Sequence, residues 1–153
     1  ITLVEFIDYK CGYCKKAHSE VEKLLSTDGN IRFIIKEFPI LGEDSLKMSK
    51  FALAVKIAHG DKAYKVVHDI LIKMKAAPST KAFDRIINNL NLDKKLVQDA
   101  MESPEVKGII ADTRNLAEKL KISGTPTFVM KDELIRGYVP FDALTEIVAN
   151  KRG

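Results

Sequence analysis

The chain has 153 residues, 46% hydrophobic and 30% charged, which suits one globular domain with a sizeable core and excludes a disordered chain. Its net charge of +4 is scattered among acids and bases and aromatics are only 7%, so no basic stripe with interleaved stacking residues points to nucleic acid. No apolar run approaches the ~18 residues of a membrane span, and the chain opens directly on strand-like sequence, as expected where a signal peptide or N-terminal extension has been removed.

Residues 2 to 8 are β-rich and apolar except for Glu5 and Asp8, which predicts a strand buried on both faces. Ala17, Val21, Leu24 and Leu25 at helical spacing predict a helix over 12–26, stopped at Gly29 before a second strand, "IRFIIKEF". Pro39 and Gly42 break that pattern, and from about Glu43 to Leu120 the sequence reads as helix throughout. Pieces over 44–59, 61–75, 80–90, 93–102 and 104–121 read as four short helices and one long one. Gly60-Asp61, Pro78-Ser79, Asn91 and Ser103-Pro104 punctuate them, with Gly60-Asp61 closing one helix and capping the next. The apolar residues of this block, Leu71, Ile72 and Met74 among them, are expected to pack a core. Strand character returns at "TPTFVMK"; a turn at Asp132-Glu133, an antiparallel "LIRGYV" and a closing helix over about 141–151 follow. The order β-α-β, helices, β-β-α predicts an α/β domain, residues 1–42 and 122–153, split by an all-helical insertion over 43–121.

The only two cysteines, Cys11 and Cys14, fall where the first helix begins. A structural zinc site wants four ligands. His18 could supply a third, but His59 and His68 are nine apart and make no close second pair. A purely structural disulfide across two residues would remove little chain entropy. Inert buried thiols would sit inside strands or on apolar helix faces, whereas these have Lys10, Gly12, Tyr13, Lys15 and Lys16 as neighbours. A redox dithiol fits the spacing better: the unpaired N–H groups and dipole of a helix N-terminus favour a thiolate at its first cysteine. Cys11 is then the exposed nucleophile, with the three lysines adding positive charge nearby, and Cys14, facing the protein, is the resolving thiol.

Cys-Gly-Tyr-Cys at the helix start, "GTPTF" ahead of the third strand and the helical insertion together resemble the DsbA-like branch of the thioredoxin superfamily over essentially the whole chain. The resemblance implies a thioredoxin fold, with Pro126 cis beside the sulfurs and Thr125 offering its backbone to a bound peptide. It implies that Gly12 and Tyr13 tune the redox potential. Glu5, six residues before Cys11, stands where the family carries a buried acid beneath the dithiol. A carboxylate inside a buried strand is costly without a use or a partner. It would relay a proton to or from Cys14, or else pair with a lysine at the strand end. Glu37, at a strand end, is the weaker second acid, because strand ends are often solvated.

Gly-Tyr between the cysteines and Thr125 before the proline depart from the strongly oxidising members, and look more like periplasmic disulfide isomerases and ScsC-like, copper-tolerance-associated relatives. The Thr125 hydroxyl can also donate to a sulfur, which an apolar residue could not. The resemblance therefore implies an extracytoplasmic, periplasmic protein thiol-disulfide oxidoreductase or isomerase with its direction open. Its partners would be cysteine-containing substrate proteins and a membrane redox partner that recycles the dithiol. No cofactor or metal is required by that chemistry. An isomerase needs more than one active site per assembly, so a homo-oligomer built through a segment upstream of Ile1 belongs to the same expectation. The alternatives are a copper-binding protein using the paired thiols, and a glutathione-dependent kappa-class transferase, against which an intact Cys-x-x-Cys argues.

Overall fold

A computed structural model describes residues 1–153. In it β1 (Thr2–Ile7), α1 (Gly12–Thr27) and β2 (Arg32–Glu37) are followed by five helices: α2 (Glu43–His59), α3 (Asp61–Lys73), α4 (Thr80–Asn89), α5 (Lys94–Met101) and α6 (Pro104–Lys119). The chain closes with β3 (Thr127–Met130), β4 (Glu133–Arg136) and α7 (Phe141–Arg152). The sheet order is β2-β1-β3-β4, with β1 parallel to β2 and antiparallel to β3. This is the expected thioredoxin-like α/β fold carrying helices between its two halves. No helix is long and apolar enough to cross a membrane.

β1 lies inside the sheet, and helices cover both its faces. Leu3 packs with Ala17, Val21 and Leu24 of α1 and Leu144 and Val148 of α7, while Phe6 faces the opposite way with Ala117 of α6. The period-2 alternation of a strand places Glu5 on the face of Leu3 and Ile7. Ile7, Tyr9 and both cysteines join the larger core built from α2 to α6, in which Leu71 and Ile72 are buried and Met74 packs at the margin. The active-site end of α1 is thus wedged between the sheet and the helical block.

The helix boundaries follow side-chain chemistry. Ser79, Asp93 and Ser103 each accept from the N–H three residues on, and Pro104 occupies the first turn of α6, where it has no hydrogen bond to forfeit. Gly60, at φ 91°, closes α2 and also precedes α3, so Asp61 lies within the helix and is not its cap. Two helices are long, since α2 with 17 residues exceeds α6 with 16. Lys131, at φ 52°, and Asp132 form the β3–β4 turn, one position earlier than the sequence predicts. β3 starts only at Thr127 because Pro126 has no N–H for the ladder, and β4 ends before Gly137, at φ 93°, whose N–H donates to Pro126 O at 2.8 Å.

Asp8, fully buried at the end of β1, ties this frame to the dithiol loop. Its carboxylate accepts from Lys10 N at 2.7 Å, Ile40 N at 2.8 Å, Leu41 N at 3.0 Å and Ser45 Oγ at 2.7 Å. Asp8→Ala strands four donors, and its urea midpoint should fall by the equivalent of about 3 kcal/mol or more at unchanged m-value. A loss under about 1 kcal/mol would show that water replaces the carboxylate without cost.

Candidate active site

Cys11 is the N-cap of α1, its φ and ψ of −77° and 116° leaving the helix to begin at Gly12. Its sulfur therefore faces the unpaired N–H groups of the first turn, and Cys14 N–H donates to it at 3.2 Å. On the other side the Cys11 thiol donates to Thr125 O at 3.3 Å, and the Thr125-Pro126 bond is cis. Residues 11 and 125 thus meet across 114 positions of sequence.

Hydrogen bonding from Cys14, reinforced by the Thr125 side chain and the N–H groups of Cys14 and Tyr13 against the cost of burial, lowers the Cys11 pKa from 9.0 to about 6. Cys14 moves the other way: donation to the Cys11 sulfur, then burial, push its thiol far up. The two thiols are thereby set apart as one thiolate and one protonated partner, the division that exchange chemistry needs.

Two expectations about this site need correction. Cys11 is only 7% exposed, because Thr125 and the first turn of α1 flank it; the exposed residues of the motif are Gly12 and Tyr13, the latter at 64%. Lys15 and Lys16 do not hold the thiolate either. Lys15 Nζ donates to Ile72 O and Met74 O at 3.1 and 2.8 Å, tying α1 to the end of α3, and Lys16 lies over the Tyr138 ring. A Cβ on Gly12 would meet open space, so this part of the motif is accessible to a large substrate. Ser123 to Thr127, with Arg136 and Gly137, line an open polar groove beside Pro126.

Glu5 lies buried in β1 and its Oε2 has no hydrogen-bond partner. Burial first, then the charges of Cys11 and Glu22, raise its pKa from 4.5 to about 8. It is not the lysine-paired carboxylate of the simpler alternative, since Lys65 acts on it only at a distance, by charge.

Glu37 is not at a solvated strand end. It is 1% exposed, accepting from Tyr9 Oη at 2.7 Å, Tyr64 Oη at 2.5 Å and Ser49 Oγ at 2.8 Å. Burial outweighs these three bonds and raises its pKa to about 7. Tyr9 also meets His68 Nδ1 at 3.0 Å, and His68 lies 5.8 Å, ring to ring, from His18. The histidines that sequence spacing keeps apart are therefore neighbours, and burial holds the His68 pKa down near about 3. Tyr9, Tyr64 and Ser49 carried no signal in the sequence, and His68 was set aside there as lacking a close pair, because their partners come from other elements.

Residues 2–149 match the family described as DSBA-like thioredoxin domain. Among solved structures, a thioredoxin-like oxidoreductase from Silicibacter pomeroyi is 38% identical, with a TM-score of 0.90 over 99% of this chain and 86% of that one. ScsC from Proteus mirabilis in a compact conformation is 29% identical, at TM-score 0.87 over 99% and 83%. A periplasmic thioredoxin-like protein from Salmonella enterica is 28% identical, at 0.82 over 98% and 83%. The Na(+)/H(+) antiporter NhaA 3 of Salinispora tropica is 26% identical over 148 residues, 97% of this chain, which spans only 22% of that protein's length.

Proposed function

Because the chain belongs to the family of DSBA-like thioredoxin domains, we propose that it is an extracytoplasmic protein thiol-disulfide oxidoreductase acting through Cys11 and Cys14. The observation that carries this reading is the Cys11 sulfur, held between the Cys14 N–H and Thr125 with its pKa lowered to about 6. In the reductive direction the Cys11 thiolate attacks a substrate disulfide, its sulfur–sulfur bond breaks, and one substrate thiolate leaves. Cys14 then gives its proton to the ionised fraction of Glu5, which grows as pH approaches about 8, and attacks the Cys11 sulfur, closing the protein disulfide and releasing the second substrate thiolate. In the oxidative direction each step reverses and Glu5 returns the proton to Cys14.

The substrate lies as an extended chain in the polar groove at Thr125 and Pro126, with Gly12 and Tyr13 beside the sulfurs. Residues 1–42 and 122–153 act as the catalytic unit, and 43–121 as the insertion that covers it. A periplasmic location draws support from the Salmonella relative. The partners are cysteine-containing proteins and a membrane redox partner that restores the dithiol. Gly-Tyr and Thr125 favour isomerase or reductase activity over pure oxidation, and an isomerase would gather active sites through a segment upstream of Ile1.

Cys14→Ser leaves the nucleophile without its resolving partner, so it should accumulate mixed disulfides with substrate proteins on non-reducing gels, and Cys11→Ser far fewer. Equal trapping by the two variants would reverse the roles. Redox potential, insulin reduction and refolding of a scrambled substrate, measured together, separate isomerase, reductase and oxidase. Metal content of the reduced protein tests the copper-binding alternative.

A further inference from the structure

Between α1 and α3 lies a group of side chains that disulfide exchange does not use. His18, one helical turn beyond Cys14, is 7% exposed; His68 is 2% exposed, and Asp69 follows it at the edge of the core. One ligand atom from each lies within 4.8 Å of the other two. Tyr9 donates its proton to Glu37 Oε2 at 2.7 Å, so towards His68 Nδ1, 3.0 Å away, its oxygen can only accept. His68 therefore carries its proton on Nδ1, which leaves the Nε2 lone pair available. His18 Nε2 is buried without a hydrogen-bond partner and faces Asp69 Oδ1 at 3.7 Å. An orphaned buried nitrogen is costly unless a partner takes its proton or its lone pair, and a metal ion takes the latter. A cation already sits at the carboxylate side, since Lys65 Nζ donates to Asp69 Oδ1 at 2.6 Å and to Glu22 Oε1 at 2.7 Å.

We propose that His18, His68 and Asp69 form a binding site for a divalent transition-metal ion, zinc by the nature of its donors. Two imidazoles and a carboxylate match its preference for nitrogen and oxygen ligands. Glu22 becomes the fourth ligand when the Lys65 ammonium swings out, as a long side chain 34% exposed can do. Bonds of about 2.0 Å at tetrahedral angles put ligand atoms about 3.3 Å apart, so the ion draws the group inward from its present spread. The chain from His68 through Tyr9 to Glu37 supplies the outer hydrogen bonding that fixes a metal-bound imidazole. The ion clamps α1 to α3. Only the folded chain assembles the site, so occupancy raises the melting temperature.

The test uses the oxidised protein, whose thiols are tied up in their disulfide and cannot bind the probe. Titration calorimetry with Zn²⁺ should give one ion per chain with a dissociation constant of about 10 µM or tighter, accompanied by a rise in Tm. His18→Ala and Asp69→Asn should each weaken binding by about tenfold or more. Lys65→Met, which removes the competing ammonium and keeps the apolar stem, should tighten it. No uptake by the unsubstituted chain at about 100 µM Zn²⁺ would overturn the site. So would uptake that His18→Ala leaves unchanged, or that Lys65→Met weakens.

Discussion

Alkylation of the reduced protein across pH is expected to show one thiol, Cys11, reacting with a midpoint near about 6 while Cys14 stays protected beyond pH 9. At pH 7 a thiol of pKa about 6 is roughly 90% thiolate, against about 1% for one at 9.0. The lower basicity costs intrinsic nucleophilicity, about twentyfold over this interval. The net gain over an ordinary thiol is therefore only about fourfold at pH 7, rising to about 25-fold at pH 6. Selectivity between the two cysteines is far larger than either figure, because the Cys14 proton is held by the Cys11 sulfur and by burial. Thr125→Val removes a hydrogen-bonding side chain from the thiolate but keeps the Thr125 carbonyl, so the Cys11 midpoint should move up towards 9.0. That rise makes the reduced form less favoured and lowers the oxidising power. This effect of the Thr125 side chain runs against the resemblance, in which a threonine before the proline departs from the strongly oxidising members. Both thiols titrating together near 9.0 would remove the physical basis of the proposed roles.

Glu5→Leu is expected to stabilise the protein, by an amount that grows with pH. Burial holds the Glu5 pKa at about 8, against 4.5 in the unfolded chain. Between these values the folded state retains a proton that the unfolded state has released, so stability falls as pH rises through the window and levels off above about 8. At about 1.4 kcal/mol per pH unit the full interval is worth about 5 kcal/mol, an upper bound that water entry reduces. Leucine carries no such dependence and fills the strand with apolar surface. Glu37, also raised, titrates in both proteins and cancels from the difference. Urea denaturation of wild type and variant from pH 5 to 9 should therefore give curves that diverge with pH, and stopped-flow exchange should slow at the step where Cys14 gives up its proton. Parallel stability curves would mean that Glu5 is solvated in the folded state. Unchanged exchange kinetics would leave it a structural residue only.

The elements and the pairing of Cys11 with Cys14 were legible in the sequence because they depend on neighbours a few positions apart. Ser79 and Ser103 cap helices through bonds to residues three positions on, and Cys11 meets the Cys14 N–H in the same way. Strand alternation in residues 2–7 likewise buries Leu3 and Phe6 on opposite faces. What the sequence left open was how buried polar groups find partners. Glu37 reads as a solvated strand end, and becomes buried only because α2 and α3 bring Ser49 and Tyr64 onto it and the end of β1 brings Tyr9. His18 and His68 are separated by a strand and a helix in the chain, yet meet because α1 packs against α3. Lys15, read as positive charge beside the thiolate, instead ties those two helices together. Periodicity and capping are short-range and survive in any context, so the sequence by itself determined the elements, their order and the chemistry at the first turn of α1. Burial and its electrostatic cost depend on which faces stack, and tertiary packing alone decided that Cys11 is shielded, that Glu5 is unpartnered and that two histidines share a site.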